Sequence, residues 1–363
     1  MLSPVYSPLS LSVERAAGIQ ILTDRGIYLD AFSGLGALPL GHSHPDVVRA
    51  IVDKAGRYAH LSNYFLDPDA PKLAETLLAM TGREGEVYFS NSGAEAVEAA
   101  MKAVKKLRRG SIVSFEGNFH GRTLGALSVT WGPTNRLPFE PLIPDCVFLP
   151  PNGDALLEYA RDEEIAAVFL ECVQGNRGVY PIPSGLAEAA SELQKERGAL
   201  IVADEIQGGL GRTGRYFSYE HYGLRPDIIT MGKGIGGGLP LGAALFCGVS
   251  PFGPGEHGST FAPNPVSLAA GRAVLAHITP ALLEEVVRKG EKLRDGLSRL
   301  SWAREVRGQG LMIGVGTDVA PEVRRGAFER GLLVNETGGG IRLLPALTIT
   351  EREIDEILSR LDF

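Results

Sequence analysis

Between about residues 86 and 247 the chain alternates short, nearly continuous apolar runs with longer stretches of helical period. No other feature constrains its fold as much. The runs cover 87–89, 112–115, 165–170, 199–203, 228–231 and 243–247, and they are rich in β-branched residues. Continuous rather than alternating apolarity is what strands buried on both faces require. Between two of them, 186–197 has helical character and stops at Gly198, which makes a strand–helix–strand unit. Repeating that unit gives an α/β domain with a mostly parallel sheet and helices on its faces. A second helix is expected to begin at Ser92. Ser92 and Glu95 stand at capping-box spacing, and Val97, Met101 and Val104 fall on one face.

The pattern changes after about 275. A long helix over 282–300 and a strand over 310–315 are expected, then short strands near 332–334 and 341–344. Thr350 and Glu353 at capping-box spacing announce a last helix. The expected division is an N-terminal segment 1–45 packing with a smaller domain, a large domain 46–274, and a small α+β domain 275–363.

Composition narrows the function. A formal net charge of −7 gives no reason to expect nucleic-acid binding. No apolar run is long enough to span a bilayer, and the first dozen residues lack the pattern of a secretory signal. Three scattered cysteines without a CxxC pair fit a reducing cytoplasm rather than disulfides or a zinc site. His42 and His44 lack a third donor at useful spacing, so a loop-structuring role is expected and no metal. Glycine stands out: 46 residues of 363 exceed the usual ~7%. They gather in clusters where backbone must turn sharply or approach a ligand.

In an open α/β sheet, ligands sit beyond the carboxyl ends of the strands. The polar residues directly after the apolar runs are therefore the candidates: Ser90 to Gly93, Glu116 to Arg122, Glu171, Asp204 to Gln207, and Lys233. Three chemistries compete for them. A P-loop needs G-x-x-x-x-G-K-[ST], but Gly232-Lys233 is the only Gly-Lys pair. Asp227 stands where the first glycine belongs, and Gly234 where Ser or Thr belongs. A dinucleotide fingerprint needs its glycines to open a helix, yet Gly232 to Gly237 leads into Leu239-Pro240-Leu241 and another strand. Pyridoxal-phosphate chemistry needs four things: a lysine to form an imine, an acid to keep the pyridine nitrogen protonated, a flat side chain against the ring, and a helix start for the phosphate. Lys233, Asp204, Phe119 and the Ser92-Gly93-Ala94 turn supply all four, each at a strand end.

These segments also resemble class III (ornithine-type) aminotransferases, nearest the acetylornithine and lysine-biosynthesis branches. The resemblance is carried by Leu40-Gly41-His42-Ser43-His44-Pro45, Asn91-Ser92-Gly93-Ala94-Glu95-Ala96, Phe119-His120-Gly121-Arg122-Thr123 and Asp204-Glu205-Ile206-Gln207. Gly211-Arg212-Thr213-Gly214, Met231-Gly232-Lys233-Gly234, His257-Gly258-Ser259-Thr260 and Arg307-Gly308-Gln309-Gly310-Leu311 continue it in family order.

The resemblance implies the fold of type I pyridoxal-phosphate transferases, with a seven-stranded, mostly parallel central sheet. Lys233 would hold the cofactor and shuttle the proton, and Asp204 would pair with the pyridinium nitrogen. Gln207 would lie near the ring's phenolic oxygen. Phe119 and Ile206 would enclose the ring, and Ser92, Gly93 and Ala94 would bind the phosphate. Thr260 would reach the phosphate of a neighbouring subunit, which implies a homodimer with shared sites. Arg122 and Arg342 are the candidates for substrate carboxylates, with Glu171 and Ser259 nearby, Glu171 as a buttress of Asp204 or its network. His120 stays open between packing and cofactor contact.

Two departures bear on substrate. The chain reads Gln174-Gly175-Asn176-Arg177-Gly178 where relatives usually carry Gln-Gly-Glu-Gly-Gly, so the glutamate that would pair with Arg342 is Asn176. Phe261-Ala262-Pro263-Asn264 replaces Phe-Gly-Gly-Asn near the expected subunit boundary. The expected activity is transfer of the ω-amino group of N-acetylornithine to 2-oxoglutarate. The alternatives are a lysine precursor attached to a small acidic carrier protein, ornithine, or 4-aminobutyrate; a non-catalytic cofactor-binding or dinucleotide module is a more distant one.

Overall fold

A computed structural model describes residues 3–363. Its centre is a seven-stranded sheet in the order Gly85–Ser90, Gly242–Cys247, Ile228–Met231, Leu200–Asp204, Ile165–Leu170, Ser111–Phe115, Cys146–Leu149. Gly242–Cys247 runs antiparallel to both neighbours, and the pairings among the remaining adjacent strands are parallel. The six apolar runs all become strands. The seventh, Cys146–Leu149, is an edge strand of half-buried residues that lies outside the six runs, although all four of its residues are apolar.

Alternate residues of each strand serve opposite faces. On one face Ile112, Phe169, Leu200, Val202, Ile228 and Phe246 pack against Val97, Met101 and Val104 of the helix Gly93–Leu107. On the other face Val113, Val168, Ile201, Ala203 and Ile229 belong to a second core with Leu186, Ala190 and Leu193 of the helix Ser184–Arg197. Phe169 is fully buried, so Phe169→Ala should cost about 3–5 kcal/mol. The helix Ser184–Arg197 ends where the sequence indicates. Gly198 takes a φ of 70°, and its N–H donates to the carbonyl of Gln194, with that of Ala199 donating to Leu193.

The beginning and end of the chain share a second sheet. Val13–Ala17, Gln20–Thr23 and Gly26–Asp30 form a meander, and Leu332–Leu333 pairs parallel to its last strand. A third, antiparallel sheet joins Glu305–Gln309, Met312–Gly316, Gly340–Leu343 and Asn335–Thr337. The long helix runs Pro280–Leu297, starting two residues earlier than expected, because the Thr279 side chain accepts from Leu282 N–H and Pro280 opens the first turn. The last helix, Glu351–Leu361, has the expected reciprocal cap between Thr350 and Glu353. Among the described residues, no single helix is long and apolar enough to cross a membrane.

Candidate active site

The parallel strands deliver their polar ends to one place. Asp204 is the last residue of its strand and stands opposite Thr230. Lys233 follows three residues later, on the short turn Lys233–Gly236. Glu171 leaves the neighbouring strand beside Asp204, since Leu170 is in register with Ala203. Phe119 and His120 lie on the loop after Ser111–Phe115. Lys233 has a φ of 46°, the left-handed region that a residue with a side chain occupies at a cost of about 1–3 kcal/mol. Such strain persists where the surrounding structure holds a side chain in one direction.

Asp204 is fixed on both oxygens. One lies 2.6 Å from His120 Nδ1, and the other accepts the Ile206 N–H at 3.0 Å. Both the histidine and the aspartate are buried. His120 is held in turn: its N–H donates to Thr130 Oγ1 at 2.8 Å, and its ring meets the Phe169 ring edge-on at 5.7 Å. Glu171 does not bond Asp204. Its carboxylate accepts the N–H groups of Phe119 and Gly175, which anchors the loop carrying Phe119. The hydrogen-bond partner of Asp204 is therefore His120, while Glu171 bonds the loops around it.

The helix start sits against this pair. Ser92 Oγ accepts the Glu95 N–H at 3.2 Å and its carbonyl accepts the Ala96 N–H at 3.1 Å. The N–H groups of Gly93 and Ala94 are left as the remaining donors of the first turn. The return half of the capping box is displaced by one residue, because Glu95 accepts from the N–H and side chain of Asn91. A Cβ on Gly93 would come within 2.7 Å of Ile206 Cδ1, and one on Gly232 within 2.9 Å of Gly93 Cα. The helix start, the Asp204 turn and the Lys233 turn thus meet at backbone distance.

Arg342 closes the site from the third sheet. Its Nε and Nη2 both donate to Asn335 Oδ1, at 3.1 and 2.7 Å, and its Nη1 donates to Gln207 Oε1 and Gly175 O, each at 3.0 Å. Every one of these acceptors is uncharged. Burial lowers the Arg342 pKa to about 10, opposed only by the Glu171 carboxylate. Burial also lowers the Lys233 pKa, against the attraction of Asp204 and Glu171, with Arg342 adding to the lowering. Glu171 is pushed up to about 7, first by burial and then by Asp204, while His120 opposes. A lysine amine, two carboxylates and a guanidinium therefore share one electrostatic environment.

The aminotransferase class-III family profile matches residues 2–362. The acetylornithine aminotransferase of Corynebacterium efficiens is 40% identical over 354 residues, covering 93% of this chain and 88% of that protein. The chain belongs to the class III aminotransferases. Among solved structures, the ornithine aminotransferase of Toxoplasma gondii superposes with a TM-score of 0.92 at 29% identity, covering 99% of this chain and 91% of that one. The N-acetylornithine aminotransferase of Stenotrophomonas maltophilia gives 0.83 at 32% identity, with 98% and 95% covered. This chain is a pyridoxal-phosphate-dependent aminotransferase with the fold of that group.

Not every expected residue of this aminotransferase converges on Lys233. Arg122 is exposed, 5.8 Å from the centre of the Phe119 ring, with no ion pair among the described residues. Ser259 accepts a hydrogen bond from the Asn91 side chain at 3.1 Å, which ties its loop to the helix start, while Thr260 is exposed beside residues 60–63. The Asn176 carbonyl accepts from Thr337 Oγ1 at 2.7 Å. Arg177 is engaged by Gln174 and the Tyr180 ring. Asn335 and Thr130 escaped the sequence reading. Asn335 could have been found: Gly338-Gly339 reads as a two-residue hairpin turn, and that register places residue 335 across from 342.

Proposed function

We propose that this aminotransferase moves the ω-amino group of N-acetylornithine to 2-oxoglutarate, giving the N-acetylated semialdehyde and glutamate. The observation that carries the reading is Arg342. It is a buried guanidinium beside Lys233 whose hydrogen bonds all go to neutral acceptors, so its charge is available to a substrate carboxylate. The relatives named for acetylornithine support the choice of donor.

The residues fit the cofactor. Lys233 would hold its aldehyde carbon covalently, and the Asp204 carboxylate, immobilised by His120 and the Ile206 N–H, would take the pyridinium N–H. The unbonded N–H groups of Gly93 and Ala94 would receive the phosphate. Phe119, fixed through its backbone by Glu171, and Ile206 would bound the ring on its two faces. Bound pyridoxal phosphate supplies an electron sink for the carbon that loses or gains a proton. Lys233, with its pKa lowered by burial, carries that proton at Nζ as a base. Arg342 orients the carboxylate of 2-oxoglutarate and of glutamate, Gln207 steadies Arg342, and Arg122 at the mouth meets the carboxylate of the donor.

The reading includes a homodimer in the cytoplasm. Tyr64, Phe65, Leu66 and Phe261 form an exposed apolar patch, joined through the Asn63 side chain to Ser259 O at 2.9 Å, next to Thr260. A second copy covering that patch would bring Thr260 to its partner's phosphate. The division into segments 1–45, 46–274 and 275–363 is part of the same proposal. The test compares kcat/KM for N-acetylornithine, ornithine, 4-aminobutyrate and a donor attached to a small acidic carrier protein, each with 2-oxoglutarate. N-acetylornithine should lead. A higher value for any of the others overturns the assignment of donor.

A further inference from the structure

Outside the active site, three metal-capable side chains meet where no metal is expected. His44 precedes the helix Pro45–Arg57, Asp46 lies in that helix's first turn, and His277 follows the helix Pro265–Leu275. One donor atom from each falls within 4.8 Å of the other two. His277 Nε2 lies 2.9 Å from Asp46 Oδ2, and the two imidazole rings approach edge-on at 4.6 Å between centres. The sequence places the histidines 233 residues apart, so spacing alone could not disclose the third donor.

His44 Nδ1 is buried and has no hydrogen-bond partner among the described residues. A buried, unpaired polar nitrogen is costly unless something occupies it. His277 and Asp46 remain partly exposed, which gives an ion a way in from solvent. Two imidazoles and one carboxylate make a borderline-soft set that suits zinc, cobalt(II) or nickel(II) and leaves a fourth position for water. Magnesium and calcium, which take oxygen ligands, do not match it.

We infer that His44, Asp46 and His277 form a binding site for a divalent transition-metal ion, distinct from the cofactor site. The ion clamps the connector at 276–279 to the start of the helix Pro45–Arg57. The two helices it joins also bracket the lysine turn. A Cβ on Gly237, at the end of Lys233–Gly236, would lie 2.8 Å from Val274 Cγ2 and 3.2 Å from Val47 Cγ1. Metal binding therefore rigidifies the packing behind Lys233 without touching the reacting groups.

The experiment is a titration of the cofactor-loaded enzyme with zinc against a chromophoric chelator, with cobalt(II) d–d absorption as a second readout. One equivalent per chain should bind, and the thermal midpoint should rise with zinc. His277→Ala and His44→Ala should each weaken zinc by at least about tenfold, the lower end of what losing even a supporting partner costs. Basal activity in metal-free buffer should stay unchanged in both. Because His44→Ala alters a helix boundary, His277→Gln, at the partly exposed donor, serves as the control that should fold and still lose the ion. Failure of the wild-type enzyme to bind zinc more tightly than His277→Gln overturns the inference, as does equal binding by all variants, which would place the ion elsewhere.

Discussion

Asp204 and His120 are joined by a 2.6 Å contact between a carboxylate oxygen and Nδ1, with both side chains sealed from solvent. The second Asp204 oxygen takes the Ile206 N–H, so the carboxylate cannot rotate away from the site. Asp204→Ala should retain some cofactor and lose most turnover, because the ring nitrogen loses its anionic partner. His120→Ala should lower kcat about 10- to 100-fold, the loss of one charged hydrogen bond. Steady-state kinetics with matched cofactor absorbance checks both, and near-normal kcat in Asp204→Ala would contradict the assigned role.

Arg342 is gripped by Asn335 through two of its nitrogens, and among the described residues no acid is bonded to it. Asn335→Asp should place an anion on that guanidinium and raise KM for 2-oxoglutarate more than Asn335→Ala does. Asn335→Ala loosens the arginine and should raise KM several-fold with a smaller change in kcat. Equal KM values in both variants and the wild type would remove the Asn335–Arg342 pair from carboxylate recognition.

Gly93 is the point where the helix start touches Ile206, with 2.7 Å available to a Cβ. Gly93→Ala should lower cofactor affinity at least tenfold by displacing the first-turn N–H groups. Ile206→Ala should lower it less, and the double variant should recover part of the Gly93→Ala loss, because the two changes share one contact. Cofactor dissociation constants for the four proteins measure this coupling, and strict additivity would contradict it.

Glu205 is buried and accepts from Ser218 N–H, Ser218 Oγ and Tyr219 N–H, yet burial pushes its pKa up to about 7. The folded protein therefore holds a proton that the unfolded chain releases above about pH 4.3. Stability from this group is fully present below that pH and falls as pH rises towards 7, by a few kcal/mol at most. Denaturant unfolding of the wild type and Glu205→Gln across pH 5 to 8 should show a smaller decline in the variant. Parallel curves would mean that Glu205 ionises normally.

Much of this is legible in the sequence, because strong local signals and strand ends coincide. Six apolar runs each became a strand, and Ser92, Glu171, Asp204 and Lys233 lie just past theirs. What stayed hidden depends on tertiary pairing. The edge strand Cys146–Leu149 is apolar but brief and half-buried, and its parallel pairing with Ser111–Phe115 is what shows that it extends the sheet. The Asp204–His120 bond joins a strand end to a loop 84 residues away in sequence, and only folding shows that Glu171 holds the Phe119 backbone. His277 joins His44 and Asp46 for the same reason: helix packing, not spacing, brings them together.

The central claim is that Lys233, and no other lysine, carries the cofactor. Borohydride reduction of the loaded enzyme followed by peptide mass spectrometry should find the phosphopyridoxyl mass increment on the peptide containing Lys233 alone. Lys233→Ala should carry no increment and, before reduction, should lack the visible absorption band of the loaded wild type. An adduct on a different lysine, or a wild-type band retained by Lys233→Ala, would contradict the account.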